Sequence, residues 1–296
     1  MKIFKNQYGE LRCGWAIAAV LGLIIIAQIV GASLVPEDAV PDDARTILIV
    51  TFVYGLIAIV GGIVLFKLIY NRRLREVGLI RDGIGRDLLH GFVIGTVSMS
   101  LIFAVLLLSN QAETSFTAEK LFSLVTLANF ISVGLTAFSE ELLARGFIMT
   151  ALKTTRRKWA IFCVSSLIFS LVHLLNPGAT ALSLINTFLA GLLFAAMFVQ
   201  SGKLWLSSGF HFAWNFFEGD IFGMNVSGRE QWSAFSTNMG TNELLTGGNA
   251  GPEGGLIVTG VLILGFLYVL YFVKKPKQPH WTMDGGLPLI RRGKYR

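Results

Sequence analysis

Charge is what this chain has least of. Only 15% of its 296 residues are Asp, Glu, Lys or Arg, against 53% hydrophobic, a balance that excludes an ordinary soluble domain and fits a polytopic membrane protein. Cysteine is almost missing: Cys13 and Cys163 lie in apolar runs without metal-type spacing. Neither a disulfide framework nor a thiolate-bound metal is therefore supported, and both read as small packing residues. No internal repeat stands out, so an inverted-repeat transporter finds no support in the sequence. The basic N-terminus leads into an apolar run of about twenty residues with no small-residue cleavage site, which reads as a retained anchor and not a signal peptide. The net charge of +7 does not point to nucleic acid, because the basic residues cluster beside apolar segments, where topology and anionic lipid at the cytoplasmic face account for them.

What is present is a series of apolar segments. Gly14 to Leu34, Ile47 to Phe66, Leu88 to Leu108, Leu121 to about Leu152, Trp159 to Leu175, Ala179 to Val199, Leu204 to Phe217 and Leu256 to Val273 predict an all-α polytopic membrane protein of about eight transmembrane helices. The chain divides into helices 1–3 (residues 1–120), a core of helices 4–7 (121–228), and an external loop, helix 8 and basic tail (229–296). Lys2, Lys5 and Arg12 precede the first segment, Arg72, Arg73, Arg75, Arg81 and Arg86 follow the second, Lys153 to Lys158 follow the fourth and Lys203 follows the sixth. The alternate loops carry Glu37, Asp38, Asp42, Asp43, Glu113 and Glu119, so the basic bias puts both termini in the cytoplasm. Glu218 to Gly255 reads as a long polar external loop, re-entrant near Ile221 to Met224. The tail after Pro276 reads as flexible and basic.

Glu140 and Glu141 stand inside the fourth apolar segment, where ionisable side chains mark function by default. Climbing from the basic turn at Lys153 to Lys158 at about 1.5 Å per residue places Glu140 about 20 Å up one arm and His173 about 22 Å up the other. The same count from Lys203 places His211 about 12 Å and Asn215 about 18 Å into the seventh segment. Four polar groups from three helices thus share a layer. Glu141 and Arg145 are four apart and pair on one helix face, while Glu140 points about 100° away toward another helix. His211 and Asn215 also share a face. The combination suggests hydrolysis, with Glu140 as general base, His173 orienting water, and His211 and Asn215 donating to an oxyanion. Phe169, Trp159, Trp205 and Trp214 read as packing or interface residues, and His90 and His280 fall outside the site.

The pattern Glu-Glu-x-x-x-Arg at Glu140, Glu141 and Arg145, then Phe-x-x-x-His at Phe169 and His173, then His-x-x-x-Asn at His211 and Asn215, resembles the CPBP family. This group of CAAX proteases and bacteriocin-processing enzymes includes the eukaryotic Ras-converting endoprotease and the bacterial Abi proteins. The resemblance covers about Leu121 to Gly228, and Val226-Ser227-Gly228 is typical of bacterial members. It implies an intramembrane endopeptidase of a bacterial cell membrane, acting on a membrane-embedded or lipidated peptide or protein through a glutamate mechanism without metal. Two alternatives stay open at this stage. Glu140, His173 and His211 have the composition of a two-histidine, one-carboxylate zinc site, although the chain lacks the His-Glu-x-x-His arrangement and Asn215 is an unusual zinc ligand. The same polar layer also suits a transporter or scaffold, an immunity or sorting factor, that binds an ion or a partner helix.

Overall fold

The computed structural model describes residues 3–5, 11–35, 43–275, 281 and 283. Six helical stretches are long and apolar enough to cross a membrane: α1 (Cys13–Ser33), α2 (Ala44–Tyr70), α3 (Ile84–Leu108), the stretch Leu124–Thr155 that begins with α4 (Leu124–Glu141), the stretch Lys158–Leu175 that begins with α5 (Lys158–Val172), and α6 (Ala181–Ser201). Two shorter helices, α7 (Trp205–Phe216) and α8 (Leu256–Phe272), complete an all-α integral membrane protein. All eight expected segments are found, with ends shifted by a few residues.

Local chemistry fixes those ends. The Asp43 carboxylate accepts from the Thr46 hydroxyl at 2.6 Å and the Thr46 amide at 2.9 Å, which starts α2 and holds this carboxyl below its usual range. Thr180 and Ser183 form a reciprocal capping box at the start of α6. Gly202, at φ 69°, ends it in the left-handed region that glycine tolerates.

Alternating helix directions gather Arg12, Arg72, Arg73, Arg75, Arg157 and Lys203 at one end of the bundle, here the basic end. Lys203 is buried there against Asp87 at 3.0 Å and the Asp82 carbonyl at 2.6 Å. At the opposite end, residues 217–255 fold into a cap. Strand β1 (Ala112–Phe116) pairs antiparallel with β2 (Phe235–Met239), Ala112 opposite Met239 and Phe116 opposite Phe235. The long polar loop expected here is folded: Met224, Ser233, Ala234, Thr246 and Ala250 are buried, and Trp232 donates its indole N–H to Ser123 at 3.1 Å. The polar composition serves turns and hydrogen bonds inside a packed unit.

α7 has only twelve residues, yet it lies deep in the bundle because α3 approaches it closely. A Cβ on Gly91 would meet the Leu206 carbonyl oxygen at 2.1 Å, and one on Gly209 would meet that of Leu88 at 2.3 Å. Such small-residue contacts let membrane helices touch backbone to backbone, and here they bring His211 to the bundle interior. Two expectations need correction outside this core. Cys163 is exposed on α5, so it does not pack inside the fold. The tail after Pro276 lies outside the described residues except for Trp281 and Met283, and Trp281 is fully buried. Its ring packs against Phe198 at 4.7 Å, and its N–H reaches the Thr150 hydroxyl at 2.9 Å.

Candidate active site

The two adjacent glutamates occupy opposite environments. Glu141, the last residue of α4, is fully buried and accepts from the Arg145 guanidinium at 2.7 Å. Arg145 lies in a π-helical segment, Leu142–Ile148, an irregularity often found at functional sites. It donates also to the Gly191 carbonyl at 3.3 Å and lies between the rings of Phe169 and Phe194, 4.2 and 4.8 Å from their centroids. A buried cation without such partners would be costly. Here the carboxylate, the carbonyl and two aromatic faces enclose it. Phe169, expected as packing, is therefore part of the support of the site.

Glu140 is the free member of the pair. Its side chain is 28% exposed to a cavity of about 1020 Å³ that is also lined by His173, His211 and Asn215. The Nε2 of His211 lies 3.8 Å from its carboxylate, beyond direct hydrogen-bonding range. The other ring nitrogen, Nδ1, faces the Glu141 carboxylate at 3.3 Å. Since a carboxylate only accepts, Nδ1 carries the hydrogen in this arrangement, and Nε2 is the atom turned to Glu140. Stacking on Phe194, with centroids 5.0 Å apart, holds the ring plane. His211 is thus clamped between the two carboxylates.

His173 stands at the end of α5 and donates from Nδ1 to the Phe169 carbonyl at 2.7 Å. It lines the same cavity. Counting along straight helices placed His173 at the depth of Glu140, and both line this cavity with His211; the histidine within 4 Å of the Glu140 carboxylate is His211 from α7. Asn176 also lines the cavity at the end of its helix. His90 lies elsewhere, 3.3 Å from the Tyr268 hydroxyl, and His280 is outside the described residues.

Several lining residues were not singled out in the sequence. Asn129, Ser132 and Thr136 share the cavity face of α4 with Glu140, at steps of three and four residues. Tyr54 of α2 lies in the field of Glu140 and close to Ser139. The α4 series was open to discovery as polar residues at helical spacing in an apolar segment. Tyr54 had no such signal, because it comes from a helix without a motif.

Among the described residues no three His, Cys, Asp or Glu side chains are placed to hold one ion.

Comparison with known proteins bears on the same helices. Residues 119–217, about a third of the chain, match the Rce1-like family model, described as type II CAAX prenyl endopeptidase Rce1-like. No curated protein and no solved structure matches the chain. The matched stretch contains Glu140, Glu141, Arg145, His173, His211 and Asn215, and with them the whole polar cluster described above. On these residues the chain is similar to the CAAX prenyl endopeptidases that this family model describes.

Proposed function

We propose that the protein hydrolyses a peptide bond of a membrane-associated substrate by attack of a water that Glu140 deprotonates. The observation that carries this reading is the 3.8 Å separation between the Glu140 carboxylate and His211 Nε2 at the floor of the cavity. Both are acceptors in the tautomer set by Glu141, and a water bridging them directs its two hydrogens to them and its lone pair to a carbonyl carbon. The water oxygen bonds to that carbon as its proton passes to Glu140, and the carbonyl becomes an oxyanion. Asn215, one turn beyond His211, supplies an N–H donor to that oxygen. Collapse of the intermediate breaks the C–N bond while the proton on Glu140 moves to the leaving amine. Glu141 and Arg145 act indirectly by holding His211 and the helix.

No step in this reading uses a metal. The basic end suits anionic headgroups, each exposed Arg or Lys contributing on the order of 1 kcal/mol near such a surface. Profiling of new protein termini in membranes expressing the wild-type chain or Glu140→Gln tests the reaction. Termini that appear only with the wild type support it, and identical profiles refute it.

A further inference from the structure

We propose that the cavity holds a second subsite, built around Asp220, that takes the cationic side chain of a lysine or arginine of the substrate. The inference rests on the proteolytic reading of Glu140 and adds a specificity to it. It starts from a carboxylate with nothing to balance it. Asp220 stands in a π-helical segment, Phe217–Ile221, that follows α7. It is 1% exposed, it lines the cavity that holds Glu140, and its Oδ1 has no hydrogen-bond partner. The groups that do reach the side chain are the Asn129 amide and its own backbone N–H, both neutral. Burial without a counter-charge therefore pushes this carboxyl up to about 7. A buried carboxylate of this kind is completed by a cation.

The neighbouring groups are acceptors. Asn129 donates its amide N–H to Asp220, which leaves the Asn129 Oδ1 to accept, and the Ser132 hydroxyl one turn along α4 is buried without a partner. Ammonium and guanidinium groups only donate, so they match this set, whereas a neutral hydroxyl or amide would use part of it. Charge points the same way. Glu140, Asp220, Glu230 and Glu253 line the cavity, and Arg229 is the single Lys or Arg among its described lining residues. An acidic cavity draws cations in.

The helix that holds Asp220 also sets its distance from the reacting centre. Asn129 bonds Asp220, and Glu140 stands eleven residues further along the same helix, a rise of about 16 Å. Thr136 lines the cavity between them. An extended peptide covers that length in about five residues. The substrate accordingly carries its basic residue about five positions from the bond that Glu140 cleaves.

Two measurements test this. In a background with Cys13→Ser and Cys163→Ser, Val133→Cys puts a thiol on the cavity wall one turn from Asn129. Its reaction is followed with a trimethylammonium and with a sulfonate methanethiosulfonate at about pH 8, where Asp220 is charged. The cationic-to-anionic rate ratio should fall about tenfold when Asp220→Asn is added; a ratio unmoved by that change would overturn the cation subsite. Asn keeps an acceptor for a neutral N–H and removes only the charge. The purified wild-type chain in detergent is also given a library of random peptides. Cleaved peptides should be enriched in Lys or Arg about five positions from the cut, and Asp220→Asn should abolish the enrichment while cleavage continues. Cleavage without the enrichment, or with an enrichment that survives Asp220→Asn, would overturn the proposal and leave proteolysis standing. Should that variant fail to fold, the enrichment in wild-type products decides alone. No Glu140-dependent cleavage of any peptide would fall on the proteolytic reading itself and take the substrate class with it.

Discussion

Glu140→Gln and Glu141→Gln differ by one position, and the structure gives them opposite phenotypes. Glu140 is partly exposed to the cavity and makes no direct hydrogen bond among the described residues, so its amide leaves packing intact. Stability should change by less than about 0.5 kcal/mol. The reaction loses its base, which lowers the rate by about 10²–10⁴-fold, equivalent to about 3–5 kcal/mol of barrier. Glu141 has no exposure, and its carboxylate lies 2.7 Å from an Arg145 side chain that is 1% exposed. Neutralising it leaves the guanidinium with the Gly191 carbonyl and two rings as partners. Breaking one side of a buried pair costs about 3–5 kcal/mol, a drop in melting temperature of roughly 6–20 °C for a chain of this size. The two variants are to be compared by thermal unfolding in detergent and by initial rates on a substrate found through terminus profiling. A Glu140→Gln protein that turns over within tenfold of wild type refutes the assignment of the base. Equal melting temperatures for the two variants refute the division of labour between the glutamates.

Asn215→Ala should lower kcat by about 10²–10³-fold with a small change in KM, as loss of one oxyanion donor does; an effect on KM alone would place Asn215 in binding. Prolonged treatment with a strong chelator should leave activity unchanged, and elemental analysis should find less than stoichiometric zinc; loss of activity restored by zinc would make Glu140, His173 and His211 ligands. Trp281→Ala should destabilise the bundle by about 3–5 kcal/mol, because its ring fills a buried site beside Phe198 and its N–H bonds Thr150. An unshifted melting curve would show that the tail adds nothing.

The parts of this molecule that were legible in its sequence are those governed by one-dimensional patterns. Eight apolar segments, the Glu141–Arg145 pair at four-residue spacing and the shared face of His211 and Asn215 follow from helix periodicity alone. What was not legible depends on how helices meet. His211 lies 3.8 Å from Glu140 on a helix that Gly91 and Gly209 let come into backbone contact with α3, and no residue count along a helix contains that distance. The cap was read as a long polar loop, without its packing, because Gly, Asn and Ser are common to loops and to tightly hydrogen-bonded turns. Its strand pairs with a segment more than a hundred residues earlier, which a local reading does not reach. Trp281 was lost in a tail judged by its charge, although a single tryptophan there has its partner on the basic end of the bundle.

Two neighbouring carboxylates inside a membrane demand two separate solutions. The charge of Glu141 is balanced within the protein, by a cation that has Phe169 and Phe194 beside it. That assembly is bulky and buried. The charge of Glu140 has no such cation beside it among the described residues and is tolerated beside the water of the cavity. The two solutions meet at His211, 3.3 Å from the buried carboxylate and 3.8 Å from the exposed one, so the ion pair that holds this ring also sets the surroundings of Glu140.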